Sequence, residues 1–479
     1  MSSFSFDIID TYKEEFLPAK CIVHFRPKAD WKGKGYGFDW MRIGDTGEFG
    51  DMQPYKDIVG KQYHNDETVK DKDGNPIPGL KGTLVKGVNE YNGDFPPDGD
   101  KRDEKKDKAL YKSLQKKYQQ LIIAARPPSA NREYYCPWLS LFPETIKEKK
   151  IKPASEIIAE KGKFSIDSLF TTETKAVKYP NTEAELRLYL EMEEKPDYLE
   201  FEDNEHFEIT TGKKISDGLK AGFLSKTVKI KCKVEFDKDQ AISIYACKKN
   251  TKTGKDEKKL AGRLWVWANN KWRRKVYSVL MVKIKTPTIS GTPSSPNLEN
   301  EKNNLNQYLS QALVQVKIEK VIDLDLSADT NFKIGASGFI SDKKINRTKQ
   351  IGLIFKTSLM EYLEGKVKEK LKDDWKKYAK TFKFYYFEEP GTNGKKNIGG
   401  FQSDETGDVV IFKNPSATTA SHELFHKLRL AHSFSNSECS TDYKALHTYK
   451  ARVTDNVMDY STGNCSLWYW QWEVANKNA

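Results

Sequence analysis

The stretch SHELFHKLRLAHSF, residues 421–434, decides how this chain is interpreted. It places His422 and His426 four residues apart, and on an α-helix this spacing puts both imidazoles on one face, within reach of one metal ion. A catalytic zinc ion takes three protein ligands and keeps a fourth position for water, so one more donor is required. His432 is well placed to be that donor if the chain turns after the helix. Three of the seven histidines thus gather at ligand spacing.

Glu423 follows the first of these histidines directly. From this position its carboxylate can reach a water molecule on the metal and act as a general base, as in other H-E-x-x-H helices. A lone histidine on a helix is more often a surface or core residue, but three at this spacing reverse that expectation. The sequence therefore predicts Zn²⁺ as cofactor, with His422, His426 and His432 as its ligands.

A second segment, NVMDYS at 456–461, lies downstream. With the pattern H-E-x-x-H-x-x-x-x-x-H it resembles the metzincin metalloproteases. The resemblance implies a Met-turn that places Met458 as a hydrophobic floor beneath the metal. Tyr460 matches the tyrosine that some metzincins, such as astacins and serralysins, use as an additional zinc ligand or transition-state donor. A packed aromatic in the turn is the alternative for Tyr460.

One position departs from the metzincin pattern, which has Gly where the helix stops and the chain bends with positive φ. Here that position is Arg429, and a left-handed Arg costs about 1 kcal/mol more than Gly. Two routes stay open. Either Arg429 adopts this conformation and His432 completes the site, or the helix ends differently and His447 is the reserve ligand.

Residues 303–479 alternate helical and strand-like segments, which is typical of an α/β domain. If its strands are the family's sheet, the resemblance makes DVVIFKN (408–414) the edge strand along which an extended substrate adds. Ser466 can cap a final helix that carries Trp468 and Trp472 inward. This domain is the predicted metzincin-like protease.

Upstream, the segment 287–302 has the Pro, Ser, Gly and Asn content of a linker. Residues 111–286 carry repeated period-2 alternation, as in Leu186, Leu188 and Leu190, which predicts an antiparallel β-sandwich, immunoglobulin-like in its architecture. Residues 1–110, rich in Gly, Asp and Trp, predict a further β-rich domain. Trp265, Trp267 and Trp272 form either a binding surface or a contact with a neighbouring domain.

Charge and hydropathy argue against a nucleic-acid partner and against a membrane span. The formal net charge of +12 is spread in runs that mix both signs, such as 101–108, so no nucleic-acid partner is predicted. No stretch approaches the roughly 18 apolar residues of a membrane span.

Two pairs of cysteines, Cys232 with Cys247 and Cys439 with Cys465, can form disulfide bridges in an oxidising compartment. Free buried thiols are the alternative.

The N-terminus lacks the basic and apolar regions of a classical signal peptide. The stretch FRPKADWKGKGYGFDWMRIGDTG, residues 25–47, resembles the front ends of effectors delivered by bacterial contractile injection machines, including type VI secretion. The resemblance implies a protein that is cytoplasmic until it is exported or injected by a non-classical route. It also implies a secretion-machine component and an inhibitor or immunity protein as partners, beside a protein or peptide substrate.

Several functions stay open at this stage. One function is a zinc-dependent endopeptidase, either a delivered toxin or a housekeeping protease. A second is a zinc amidase. A third is a non-catalytic binding protein or secretion-machine component with a structural zinc site. Glu423 favours catalysis, because a purely structural site has no use for a base beside an open metal position.

Overall fold

The computed structural model describes residues 21–28, 30–40, 68–70, 76–81, 116–122, 133–152, 170–179, 181–250, 253–287, 295–335, 338–403, 406–413, 415–434, 452, 454–460 and 463–479. These residues form a β-rich structure with several sheets. The α-helices in them are α1 (Glu301–Leu309), α2 (Leu359–Leu371), α3 (Trp375–Tyr378), α4 (Thr419–Lys427) and α5 (Tyr469–Asn478).

The strands of the described residues are, in chain order, β1 (Cys21–Pro27), β2 (Gly37–Asp39), β3 (Thr68–Lys70), β4 (Pro76–Lys81), β5 (Gln120–Ile122), β6 (Glu133–Tyr135), β7 (Trp138–Ser140), β8 (Thr145–Ile151), β9 (Phe170–Ala176), β10 (Glu183–Met192), β11 (Tyr198–Phe201), β12 (Phe207–Ile209), β13 (Lys214–Ile215), β14 (Gly222–Cys232), β15 (Gln240–Lys249), β16 (Asp256–Val266), β17 (Lys275–Lys285), β18 (Val314–Asp325), β19 (Ile340–Ser341), β20 (Lys344–Asn346), β21 (Gln350–Ile351), β22 (Thr357–Ser358), β23 (Phe382–Phe387), β24 (Gly391–Thr392), β25 (Asn397–Ile398), β26 (Gly400–Gln402) and β27 (Val409–Ile411).

Two sheets in the first part of the chain share one apolar core. The first has the order β1-β10-β14-β12 and the second the order β13-β11-β15-β16-β7-β2. Their strand pairs are antiparallel, apart from β7 with β16. The alternation predicted for β10 is confirmed, since Leu186, Leu188 and Leu190 are fully buried. They belong to one cluster with Ile244 and Leu264 of the second sheet.

Strands from both sides of the predicted boundary at residue 110 pair with each other. β1 pairs with β10 over its whole length, and β2 pairs with β7. The reason lies in β1, where Val23 and Phe25 are fully buried, because its apolar face is covered only when the strand joins a sheet. β1 and β2 therefore belong to the same two sheets as strands that lie beyond residue 110.

A third large sheet, of order β18-β17-β23-β27-β26, holds the second half of the chain. The sequence assigns β17 to the antiparallel region 111–286, but β17 runs parallel to both β18 and β23. Its residues Val279, Leu280, Met281 and Val282 are all fully buried, as expected for a strand covered on both faces of a parallel sheet. Of the predicted linker 287–302, the last two residues belong to α1, which begins at Glu301, and residues 288–294 lie outside the described residues.

Helices cover both faces of this sheet. On one face α1, α4 and α5 share a cluster with Val279 and Met281. On the other, α2 and α3 share a cluster with Leu280 and Val282. Helix α2 begins with a capping box, in which the Ser358 hydroxyl accepts from the Glu361 N–H and the Glu361 carboxylate accepts from the Ser358 N–H.

The edge strand of the sheet differs from the prediction. β27, within the segment DVVIFKN, is an inner strand, since β26 pairs with it antiparallel and ends the sheet. The short run Gly400–Gln402 escapes a pattern search because it offers only one buried apolar residue, Phe401. The edge nearest the H-E-x-x-H helix is therefore β26, against which α4 packs.

Aromatic residues join the antiparallel sheets to α5. Trp267 is fully buried, and its ring centroid lies 6.2 Å from that of Trp472 and 6.3 Å from that of Tyr469. Trp138 stacks on Tyr469 at 4.0 Å. The contact with a neighbouring unit is therefore confirmed for Trp267, whereas Trp272 is 70% exposed.

Two further predictions concern the cysteines and the membrane. Cys232 and Cys247 are free and buried, so the alternative of buried thiols holds for them. Cys465 is buried, and Cys439 lies outside the described residues, so a bridge between these two stays a prediction. Cys232 belongs to the apolar core between the two sheets, whereas Cys247 does not, so the two thiols do not face each other. In the part of the chain that the structure describes, no helix has both the length and the apolar character needed to cross a membrane.

Candidate metal centre

Helix α4 carries the first two candidate ligands on a well-buried support. Leu424 and Phe425 are fully buried, and they share a cluster with the sheet residues Val409 and Ile411. His422 is 8% exposed. These apolar residues hold one face of the helix against the sheet. The backbone positions that carry the two imidazoles are therefore fixed.

The end of α4 is a Schellman turn with Arg429 in the left-handed position. Arg429 has φ +70°. Its N–H donates to the His426 carbonyl at 2.9 Å, and the Leu430 N–H donates to the Phe425 carbonyl at 2.9 Å, which is the hydrogen-bond pair of this motif. The first of the two routes is therefore the one the chain takes, with Arg in place of Gly. His447 lies outside the described residues.

The turn brings His432 back to the helix. His426 Nε2 lies 3.1 Å from His422 Nε2 and 3.1 Å from His432 Nε2. Ligand nitrogens of the three histidines all lie within 4.8 Å of one another, in a group that can hold a metal ion. The three residues singled out by their spacing are thus brought together.

The hydrogen bonds of the rings fix which nitrogen is available to a metal. His422 Nδ1 lies 2.8 Å from the Val457 carbonyl oxygen, and His426 Nδ1 lies 2.9 Å from that of Leu430. A carbonyl oxygen only accepts, so both Nδ1 atoms carry the proton and donate it. Each neutral ring then presents a bare lone pair at Nε2, and such outer hydrogen bonds are usual for metal-ligating histidines.

This donor set fits a cation. The lone pairs of His422 and His426 point into the same space with 3.1 Å between the Nε2 atoms, and two lone pairs repel unless a positive charge lies between them. Zn–N bonds of about 2.0–2.1 Å in tetrahedral geometry place ligand nitrogens about 3.3 Å apart. Burial first, then the charges of His432 and His422, lower the pKa of His426 well below its usual value. The ring is therefore neutral, as a metal ligand must be.

The predicted Met-turn is a tight turn on the other side of the triad. The Asp459 N–H donates to the Asn456 carbonyl at 2.9 Å, which closes the turn around Val457 and Met458. Met458 is fully buried in the same cluster as Leu424 and Phe425. The Met458 carbonyl accepts from the Ser433 N–H at 2.9 Å, so the turn also holds the residue next to His432.

Tyr460 borders the triad, and Glu423 follows His422 on the same helix. The Tyr460 ring centroid lies 4.9 Å from that of His432 and 5.6 Å from that of His422, and its side chain is 41% exposed. Tyr460 therefore covers the histidines from the solvent side. Glu423 is half-buried on α4 beside His422.

Several buried polar residues that support the site were missed by the sequence interpretation. The side chains of Asn456 and Gln471 exchange two hydrogen bonds, of 2.7 and 3.2 Å, and tie the Met-turn to α5. Gln471 also accepts from the Trp468 N–H. The signal that could have revealed Gln471 is its place as the one polar residue in the aromatic run WYWQW at 468–472.

The predicted cap of the final helix is wrong in one respect. Trp468 and Trp472 are buried as expected, but Ser466 does not cap α5. Its hydroxyl donates to the Asp455 carboxylate at 2.8 Å. The helix begins at Tyr469, three residues later, and the Tyr469 N–H donates to the Asp39 carboxylate at 2.7 Å. A residue so distant in sequence takes the capping role because β2 lies beside α5.

Comparisons with known proteins add no family. No protein-family model and no curated protein sequence matches the chain. Among solved structures, a carbohydrate esterase family 2 enzyme plus carbohydrate binding domain from Corynascus thermopiles (Myceliophthora fergusii) aligns over 62% of this chain and 94% of its own, with 11% identity and a TM-score of 0.12. A similarity at this level carries no argument about fold or function.

We expect the chain to bind one zinc ion, and His432→Ala to weaken that binding by at least about a hundred-fold, the upper range for loss of an outer-shell partner. The physical reason is the loss of one of three converging nitrogens. Equilibrium dialysis with a competing chelator measures the affinity. His206→Ala, a histidine in the antiparallel sheets, is the matched control and keeps the wild-type affinity. Equal affinities of the two variants would exclude His432 as a ligand.

Arg429→Gly is expected to stabilise the fold by up to about 1 kcal/mol, because relief of the left-handed conformation outweighs the added entropy of the unfolded chain. Arg429→Ala keeps a Cβ and is expected to change the stability by less than about 0.5 kcal/mol. Urea unfolding followed by tryptophan fluorescence compares the two variants. An equal gain from both would show that the side chain, not the backbone conformation, is the source of strain.

Proposed function

We propose that this protein is a zinc-dependent endopeptidase that hydrolyses peptide bonds of a protein substrate. The observation that carries the proposal is the convergence of His422, His426 and His432 around one point, with Glu423 on the same helix. A tight Met-turn behind the triad supports it further. In this proposal the α/β unit is a metzincin-like protease domain, and the two antiparallel sheets form an immunoglobulin-like sandwich.

The proposed chemistry divides among the residues of the site. When bound by the three imidazoles, zinc supplies Lewis acidity, which lowers the pKa of a water molecule towards about 7 and polarises a carbonyl. Glu423 accepts a proton from the attacking water and passes it to the leaving amine. The Tyr460 hydroxyl donates a hydrogen bond to the oxyanion that develops on the substrate carbonyl. The hydrogen bonds of His422 and His426 to backbone carbonyls keep both rings oriented throughout.

The substrate is proposed to lie along β26. This strand ends the sheet and packs against α4, so a peptide paired with it runs past the histidines. Backbone hydrogen bonds from an edge strand bind an extended peptide largely without regard to its sequence. This role moves from the inner strand β27, to which the sequence assigned it, to the edge strand.

A structural zinc site is the main alternative, with the antiparallel sheets as the binding part. Structural zinc sites are closed by four protein ligands, whereas the metal-ligand group found within the described residues has three members. Glu423 beside the group also favours catalysis. A zinc amidase uses the same residues on a different carbonyl substrate, and only the substrate distinguishes it from a protease.

Delivery by a contractile injection machine, with a secretion component and an inhibitor or immunity protein as partners, stays a prediction from residues 25–47. Part of this stretch, including β2, lies in the antiparallel sheets. The enzymatic proposal does not depend on it.

Glu423→Ala is expected to abolish cleavage of casein while one zinc ion stays bound, because the base is lost and the ligands remain. Intact protein and variant are compared for casein cleavage, with bound zinc counted in each. Glu202→Ala, an exposed glutamate of the antiparallel sheets, is the control and keeps wild-type activity. Zinc without casein cleavage in the wild type would remove a general protease, and wild-type protein without zinc would remove the metal chemistry altogether.

Tyr460→Phe is expected to lower kcat for casein by about 100- to 1,000-fold with KM little changed, because a donor to the oxyanion is lost. The ring contacts with His432 are kept by Phe, so zinc content stays at the wild-type value. Phe434→Leu, which alters another ring stacked on His432, is the control for packing. A kcat of Tyr460→Phe equal to that of the wild type would leave Tyr460 as a packed aromatic.

A further inference from the structure

A short hairpin of the α/β unit carries three apolar side chains into solvent. Strands β21 and β22 pair through Gln350 with Ser358 and Ile351 with Thr357. Between them, Leu353 is 100% exposed, and Ile354 and Phe355 are each 86% exposed. Exposed apolar residues are common singly, but three consecutive ones at a convex tip mark an interaction site.

The tip has a defined backbone. Gly352 has φ +100°, and a Cβ at this position would lie 2.2 Å from the Phe355 carbonyl oxygen. Only glycine therefore permits the tight turn that folds residue 355 back over residue 352. The hairpin is followed at once by α2, whose first turn is held by the capping box of Ser358 and Glu361. The hairpin that carries the apolar tip is thus joined directly to the helix α2.

The sequence around the tip carries charge of one sign. The stretch 343–358 contains the basic residues Lys343, Lys344, Arg347, Lys349 and Lys356 and no acidic residue. Lys343, Arg347 and Lys356 are exposed. The acidic residues that flank the stretch are Asp342 and Glu361, and the Glu361 carboxylate accepts from the Ser358 N–H. This run differs from the mixed runs elsewhere, because its charges add rather than cancel.

We propose that the 352–356 tip inserts into the interface of an anionic lipid bilayer. Such a surface offers both features that the hairpin requires, an apolar layer for Leu353, Ile354 and Phe355 and phosphate-bearing head groups for the flanking lysines. A projecting tip suits a fluid layer that closes around it, whereas a protein partner would need a preformed pocket for three side chains. The proposal does not depend on zinc chemistry.

Vesicle co-sedimentation of the full chain tests the proposal. The probes are vesicles of phosphatidylcholine alone and vesicles of phosphatidylcholine and phosphatidylglycerol in equal parts. We expect strong sedimentation with the anionic vesicles, weak sedimentation with the neutral ones, and loss of binding as salt screens the charges. A wild-type chain that stays in the supernatant with anionic vesicles overturns the proposal.

Two sets of variants separate the two contributions. The combined variant Leu353→Ser, Ile354→Ser and Phe355→Ser is expected to lower partitioning to anionic vesicles at least about ten-fold. Lys343→Gln with Lys356→Gln is expected to lower it about five-fold for each charge removed. All five side chains are exposed, so the variants are expected to keep the wild-type circular dichroism spectrum.

Trp272→Ser is the matched control, because Trp272 is 70% exposed and has the Lys271 ammonium 4.8 Å from its ring. It is expected to bind vesicles like the wild type. A loss as large as that of the triple variant would place the lipid contact elsewhere and overturn the proposal. So would a triple variant that binds vesicles normally but has lost casein cleavage, since the tip would then be a docking element for protein.

Discussion

The site depends on one constraint, the reversal of the chain after α4 that brings His432 back beside the last turn of this helix. His432 follows His426 by six residues, yet their Nε2 atoms lie 3.1 Å apart. This closure requires a left-handed residue after the helix, and Arg429 supplies it at φ +70°. The same turn directs the Leu430 carbonyl towards His426 Nδ1. One backbone reversal therefore both brings the third candidate ligand, His432, to the group and selects the tautomer of the second, His426.

A tight turn at residues 456–459 holds the group from another side. Its Val457 carbonyl accepts from His422 Nδ1, and its Met458 carbonyl accepts from the N–H of Ser433. The turn is in turn held by Asp459, whose carboxylate accepts from the backbone N–H groups of Arg452, Thr454 and Tyr460. Burial is the main cause that raises the pKa of Asp459, and these hydrogen bonds oppose it. Backbone carbonyls held in this way orient a ligand ring more rigidly than a mobile side chain would.

The sequence predicts which three histidines converge because its evidence is local. Spacing on a helix determines which imidazoles share a face, and the short segment 456–459 closes its turn with its own hydrogen bonds. Sheet membership is not local, and there the prediction fails. The run Val279 to Val282 is apolar on both faces, a sign of a parallel inner strand, but the surrounding period-2 alternation of Leu280, Val282 and Ile284 equally fits a half-buried antiparallel strand. Nothing within β17 distinguishes the two until its partners are known.

Residues 30–40 contact the start of α5 and the segment before it through residues that are distant in sequence. No local sequence pattern predicts these contacts. The Asp39 carboxylate accepts from the N–H of Tyr469 at the start of α5. The Gln311 amide donates to the Cys465 carbonyl at 2.7 Å and accepts from the Leu467 N–H at 2.9 Å, and Gly33 lies so close to Cys465 that a Cβ there would be 2.1 Å from its carbonyl oxygen.

These contacts have a consequence for how the chain works as a whole. Separation of residues 21–40 from the α/β unit would break the hydrogen bond between the Asp39 carboxylate and the Tyr469 N–H. It would also expose buried aromatic surface such as that of Tyr469 to water, which is costly. Detachment of residues 21–40 from the unit that carries α4 is therefore disfavoured. If the chain is delivered to a target cell, residues 21–40, the antiparallel sheets and the candidate metal centre are expected to travel and function as one folded unit.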